Sequence, residues 1–374
     1  MNAIWQHSEW PQFTFQENVL QDSLYQYASV ANGLVGRLSG IRSDDKSEAL
    51  IDLMVTEAIR SSQIEGEQYA RDDVRSSIRN QLGLTSSPEL VRDPRAHGIS
   101  FLMVATRETF HEALTQERLF QWHDSIMTDT YLRKRVVVGG YRDDDMEIVS
   151  GPMGRETVHF RAPPPERVPG EMDAFIDWFN RTSPNETNII LPGPVRAAVS
   201  HLYFETIHPF ADRNGRIGRA IAEMALSQEL GSPALLSLSA VLHRRRTEYY
   251  EQLHRASHGE LNITTWVHWF VGVVLEAQLE ARELILFVLA KARLWETYQS
   301  ELNPRQTRVI QRMLKEGPAG FAGGMSAKKY VGLTGCSKAT ATRDLFGLAA
   351  RGLFQKLPGS GRSTRYALVL PEVE

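Results

Sequence analysis

His208-Pro-Phe-Ala-Asp-Arg-Asn-Gly-Arg-Ile-Gly-Arg219 sets a base, an acid, an amide, two glycines and three fixed cations in a dozen residues. Such a mixture makes poor core material. Upstream, Val195, Val199, Leu202 and Ile207 recur at helical spacing behind Pro194, a good first-turn residue, and predict a helix running into His208. Pro209 to Gly215 breaks that period. Ile217, Ala220, Ile221, Met224 and Ala225 restore it, so Asn214, Gly215 and Arg216 stand at the start of a second helix.

The first turn of a helix offers unpaired N–H groups and a partial positive charge, which favour a bound anion. Arg216 and Arg219 are three apart and share a face. Cations there oppose the helix dipole by roughly 0.3–1 kcal/mol each, so the stretch calls for something strongly negative, such as a polyphosphate. Asp212, just outside the helix, suits a Mg²⁺ ion held against that phosphate, because Mg²⁺ takes one or two carboxylates plus phosphate oxygens. His208 would then stand beside the reacting phosphorus as a proton acceptor.

At these residues the chain resembles the Fic family, whose signature reads H-x-F-x-D/E-G-N-G-R-x-x-R, commonly with proline after the histidine. Counting that proline, eight of nine defined positions are present: His208, Pro209, Phe210, Asp212, Asn214, Gly215, Arg216 and Arg219. The departure is Arg213 in place of glycine, which sets a side chain on a backbone angle open to glycine and adds a cation. The resemblance implies transfer of AMP from ATP onto a Ser, Thr or Tyr hydroxyl of a protein, itself included. By position, His208 resembles the general base and Asp212 the magnesium ligand. Asn214, Gly215 and Arg216 resemble the residues around the α- and β-phosphates, and Arg219 the contact to the γ-phosphate. Phe210 would anchor the loop. Tyr249-Tyr250 resembles a pair used near the adenine, while Ser257 stands where some relatives read the nucleoside with asparagine.

Ser61-Ser-Gln-Ile-Glu65-Gly66 reads by itself as a helix end closed by glycine. Beside the later motif it resembles the family's inhibitory segment, S/T-x-x-x-E-G/N, through Ser61, Glu65 and Gly66. The resemblance implies that Glu65 pairs with Arg219 and occupies the place of the γ-phosphate.

The chain has 374 residues, one cysteine (Cys336) and ordinary globular proportions: 42% hydrophobic and 23% charged. A single cysteine excludes an internal disulfide and a cysteine zinc cluster and suits a cytoplasmic protein. The most apolar run, Trp266 to Leu275, is too short to span a bilayer, so no membrane partner is expected. From Asn303 to Glu374, twelve Lys or Arg face four Asp or Glu, leaving 30 basic against 41 acidic residues for the first 302. The tail is electrostatically distinct.

The remainder predicts a mainly α protein. Ile4, Trp5, Trp10 and Phe13 to Phe15 form an aromatic arm; helices are expected over 18–41 and 46–60 with a break at Ser43 to Asp45, then over 99–110 and 117–127. His123, on the last of these, reads as a packed or surface residue. Short strands at Val136 to Val138, Met146 to Val149 and Thr157 to Phe160 surround a turn at 150–154. This hairpin resembles the family's flap, which aligns a target by strand addition. Helices follow around Met172 to Phe179 and from Ile263 towards Ser300. Pro304 to Leu314, Ser326 to Leu333 and Ser337 to Ala350 read as helices, and Leu353 to Lys356 and Thr364 to Leu368 as strands around a glycine-rich wing at 358–362. That order resembles the winged helix-turn-helix family and implies DNA as a partner through Ser337, Lys338, Thr340, Thr342 and Arg343, with Arg362 and Arg365 on phosphates or reaching the minor groove. The alternative for the tail is dimerisation or contact with a protein.

The expected architecture is a helical region with the inhibitory segment (1–90), a Fic-type core with its flap (91–302) and a winged helix-turn-helix domain (303–374). Two functions compete with an autoinhibited adenylyltransferase: a DNA-binding regulator that senses nucleotide, and an enzyme that removes AMP. The target protein is not legible.

Overall fold

The computed structural model describes residues 3–39, 43–129, 131–150, 157–184, 191–318, 320–359 and 364–372. In chain order its helices and strands are α1 (Gln21–Ser39), α2 (Ser43–Ile64), α3 (Arg71–Gln81), α4 (Arg95–Glu108), α5 (Gln116–Ile126), the hairpin β1 (Glu147–Ser150) and β2 (Thr157–Arg161), α6 (Val168–Arg181), α7 (Gly193–Ile207), α8 (Asn214–Leu230), α9 (Leu238–Arg244), α10 (Arg246–Ser257) and α11 (Thr264–Tyr298). They continue with α12 (Pro304–Leu314), α13 (Ala327–Thr334), α14 (Lys338–Ala350), β3 (Phe354–Lys356) and β4 (Tyr366–Leu368). Two compact units result, Met1–Val35 with Leu50–Leu279 and Gly36–Ala49 with Glu280–Glu374, so the division falls inside α11.

In the first unit every residue of α7 is buried, as a helix apolar on nearly all sides must be. Its buried Arg196 is held on three sides. Arg196 donates to Thr182 Oγ1 (3.1 Å), Gln228 Oε1 (2.7 Å) and the Phe179 carbonyl (2.6 Å). Helix α8 packs along α7, its Ile217, Ile221, Met224 and Ala225 fully buried. The aromatic arm is ordered: Trp10 meets Tyr203 edge-on at 5.1 Å and donates its indole N–H to Glu171 Oε2 at 2.8 Å. Helix α2 is fastened to α9 by a buried carboxylate, Glu57, which accepts from Ser237 Oγ (2.8 Å), the Ser239 N–H (2.8 Å) and Ser239 Oγ. These bonds serve as the cap of α9.

Three local expectations change. Ser43 to Asp45 lie inside α2, and residues 40–42 before it lie outside the described residues. Val136 and Val138 lie in bends with irregular chain between them rather than in a strand, since β-branched propensity yields no strand where no described partner pairs with it. Helix α3 was not anticipated, because only Val74 and Ile78 mark its buried face among many polar residues. The hairpin pairs β1 and β2 antiparallel with a bulge between Ile148 and Val149, and residues 151–154 of its expected turn lie outside the described residues.

The second unit has its own core of Val309, Ile310, Met313, Tyr330, Ala341, Leu345, Leu348 and Phe354. Asn303, Ser326 and Ser337 cap α12, α13 and α14 with their side chains. Asp344 joins the three helices, accepting from Arg305 Nε (2.9 Å) and Tyr330 Oη (2.8 Å). Strands β3 and β4 pair antiparallel, and residues 360–363 between them, Arg362 included, lie outside the described residues. Among the described residues no helix is long and apolar enough to cross a membrane.

Candidate active site

Helix α7 ends and α8 begins with the same backbone device. His208, the C-cap of α7, has φ +50°, and Arg213, the N-cap of α8, has φ +71°; among the described residues no other non-glycine has positive φ. Each costs an L-residue roughly 1–2 kcal/mol, so surrounding contacts must impose the shape. Phe210 is fully buried and stacks on the His123 ring at 4.3 Å, a burial that contributes about 1.5–3 kcal/mol. Asn214 closes the loop: its Oδ1 accepts from the Phe210 N–H (2.9 Å) and its Nδ2 donates to the Phe210 carbonyl (2.7 Å). Arg142 holds the outer side, donating from Nε to the His208 carbonyl (2.9 Å) and from its Nη atoms to the carbonyls of Asp144 and Pro163. It ties the base of the hairpin to the motif.

The His208 side chain is 16% exposed, and its Nδ1 donates to the Glu205 carbonyl at 3.3 Å, a tautomer that leaves Nε2 as acceptor. Burial pulls the imidazole down to about 4, and the bond to the Glu205 carbonyl pushes upward without overcoming it. Its neighbour Glu205 is pushed up to about 8 by burial, against the pull of Arg219. Burial thus favours the neutral form of both groups across their 3.7 Å approach. A neutral imidazole is the form that accepts a proton.

Helix α2 closes opposite α8 in a Schellman motif: Gly66 adopts φ +82°, its N–H returns to the Gln63 carbonyl (3.1 Å) and the Glu67 N–H to the Ser62 carbonyl (3.0 Å). This turn carries a carboxylate on each side of the glycine. Glu65 Oε1 accepts from Arg219 Nη2 at 2.8 Å, while Arg219 also donates from Nε to Ser61 Oγ and from Nη2 to the Ser61 carbonyl, both at 3.0 Å. Gly215 permits this approach, since a Cβ there would lie 2.4 Å from Glu65 Oε1. Glu67 accepts from Arg213 Nη1 and from Tyr69 Oη (2.6 Å), and its Oε2 lies 2.9 Å from Arg216 Nη2. Burial raises the Glu67 carboxyl, but Arg216, Tyr69 and Arg213 together outweigh it and hold the group below its ordinary range.

Arg216 and Arg219 are each 1% exposed. Arg216 Nε and Nη2 and Arg219 Nη1 are buried without an aligned hydrogen-bond acceptor, the Arg216–Glu67 contact being close but poorly directed. Unsatisfied guanidinium donors at a helix start are built for an anion. Asp212 is 42% exposed on its side chain, and its Oδ1 accepts the Arg213 N–H at 2.7 Å. One exposed carboxylate beside an anion cradle fits Mg²⁺ shared with phosphate.

His208, Asp212, Asn214, Gly215, Arg216, Arg219, Ser61, Glu65 and Gly66 thus meet at one place. The tyrosine pair divides. Tyr249 is buried and bonded through its hydroxyl to His201 Nε2 (2.7 Å), whereas Tyr250 is 39% exposed with its hydroxyl 3.4 Å from the Ile64 carbonyl. Sequence reasoning missed Glu67, Glu205 and Arg142. Only Glu67 carried a usable signal, a second acid two positions beyond the first.

Residues 113–226 match the model of the Fic/DOC family, and residues 3–84 match a domain of unknown function (DUF4172). Protein adenylyltransferase fic-1 of Caenorhabditis elegans is 26% identical over 201 residues, 53% of this chain and 36% of its own length. Protein adenylyltransferase Fic of Nematostella vectensis is 35% identical over 99 residues, 26% of this chain and 21% of its own. The chain therefore spans about a third or less of these relatives. A crystal structure of a Fic family protein from Desulfovibrio desulfuricans G20 covers 96% of this chain and 98% of its own with a TM-score of 0.54 at 23% identity. That likeness is one of fold, a mainly helical core with a small hairpin.

Proposed function

We propose, from the Fic/DOC family domain that this chain carries at residues 113–226, that it is a protein adenylyltransferase held at rest by Glu65. It transfers AMP from ATP to a Ser, Thr or Tyr hydroxyl of a protein. The observation that carries this reading is the set of buried, unsatisfied arginine donors at the start of α8 beside a neutral imidazole.

The acceptor hydroxyl gives its proton to His208 Nε2 as its oxygen bonds to the α-phosphorus; the bond from that phosphorus to the β-phosphate oxygen breaks and pyrophosphate leaves. Arg216, Arg219 and the first N–H groups of α8 offset the charge on the phosphates, the main contribution a protein makes to such a transfer. Asp212 would hold Mg²⁺, which when bound neutralises phosphate charge. The Glu65–Arg219 pair keeps one of these arginines engaged in the resting chain. The test is incubation with α-labelled ATP and Mg²⁺: label is expected on protein with Glu65→Gly and none with His208→Ala. Equal labelling of the two variants overturns the reading.

For residues 303–374 the reading is DNA binding through the start of α14. Ser337, Lys338, Thr342 and Arg343 are exposed there, and Lys328, Lys329, Lys356 and Arg365 add charge to the same unit. A labelled-duplex titration tests it, with affinity falling steeply as salt rises.

A further inference from the structure

We infer that Glu67 is a second internal competitor for nucleotide, occupying with its carboxylate the arginine pair Arg213 and Arg216, as Glu65 occupies Arg219. This rests on the adenylyltransferase reading and adds to it a residue outside the inhibitory pattern.

The geometry assigns the two acids different arginines. Gly66, at φ +82°, reverses the chain between them, so that both reach the start of α8 from one turn. Glu65 meets Arg219, one helical turn into α8. Glu67 meets Arg213 at the N-cap and Arg216 in the first turn. A carboxylate with two oxygens against two guanidinium groups at a helix N-terminus is chemically what a phosphate presents there. Tyr69 steadies it by donating its hydroxyl to Oε2 at 2.6 Å. Arg216 keeps buried donors without aligned acceptors even so, which marks Glu67 as an imperfect substitute for the ligand that completes the site.

Arg213 gains a role from this arrangement. Its left-handed backbone is a position where glycine costs nothing, and the guanidinium held there is what Glu67 Oε1 binds. The cation that departs from the family signature and the acid beyond the inhibitory glutamate are two halves of one contact. Their consequences differ from those of Glu65. On the adenylyltransferase reading Arg219 serves a phosphate that only ATP carries, so Glu65 opposes ATP more than ADP. On that reading Arg216 serves phosphates that ADP and ATP share, so Glu67, which engages it together with Arg213, opposes both.

The experiment is calorimetric titration of the full chain with ADP and with ATP, each with Mg²⁺, for wild type, Glu65→Gly and Glu67→Gln. Glutamine preserves length and still accepts from Tyr69. Glu67→Gln is expected to tighten ADP and ATP alike by about tenfold, the scale for one charge-assisted contact discounted for partial exposure. Glu65→Gly is expected to tighten ATP more than ADP. If Glu65→Gly binds ATP and transfers AMP while Glu67→Gln leaves ADP affinity at the wild-type value, the Glu67 assignment fails and the adenylyltransferase reading stands. If no variant binds either nucleotide, both fail. Glu67→Ala serves should the glutamine variant not fold, with the same gain expected and its absence equally decisive.

Discussion

Replacing Glu65 by glycine removes one contact and leaves its surroundings in place. The Arg219 side chain is 1% exposed and that of Glu65 29%, and they meet at 2.8 Å. A hydrogen bond to a charged partner contributes about 1.5–3 kcal/mol, and partial exposure of Glu65 favours the lower half, about 2 kcal/mol. Arg219 keeps its two bonds to Ser61, so its guanidinium stays where the contact left it. Position 65 follows the last residue of α2, so glycine there carries little helix penalty. The energy of the resting contact then reappears in nucleotide binding as a gain of about 30-fold at subsaturating ATP, because about 1.4 kcal/mol is tenfold. The folded state loses the same contact, and the melting temperature falls by about 4–8 °C. Scintillation counting of protein-bound label from α-labelled ATP measures the gain, and differential scanning fluorimetry the loss. A melting temperature that drops as expected while labelling stays within threefold of wild type would refute the argument, since Glu65 would then be a structural strut and nothing more.

In the Glu65→Gly background, kcat/KM for transfer should be level from pH 6 to 8 and fall as pH drops through about 4, where the buried His208 takes up its proton and ceases to be a base. Removing Glu65 takes away one upward push on His208, so the fall moves to lower pH, and a midpoint near 6.5 would contradict the burial argument. Asn214→Ala leaves a buried N–H and a buried carbonyl of Phe210 without partners, a loss of about 2–4 kcal/mol. Chemical denaturation should show it, and an unchanged midpoint would mean that the loop is held by Phe210 alone. In the second unit, Lys338→Ala with Arg343→Ala should weaken duplex DNA binding and lower the slope of log affinity against log salt by about 0.9 per lost phosphate contact; an unchanged slope would turn attention to a protein partner.

Much of the molecule was legible because its signals are local. Asn303, Ser326 and Ser337 satisfy N–H groups within a few residues of themselves, so the starts of α12, α13 and α14 follow from short-range chemistry. Gly66 likewise ends α2 in the only way its backbone makes inexpensive. The stretch from Val195 to Ala225 determined by itself a helix, a break and a second helix that begins with unpaired donors. What it could not determine is which groups those donors meet. Glu67 lies 146 residues from Arg213 and Ser61 lies 158 from Arg219, and spacing within an element says nothing about separations of that size. Nothing in the sequence around Arg142 and Glu57 sets them apart, and it is the tertiary structure that buries them against carbonyls and hydroxyls far along the chain. Hydrogen-bonding need is written in each residue type, but its partner is chosen by the packing of whole helices. Only the folded chain could show two acids of one turn set against three arginines of another.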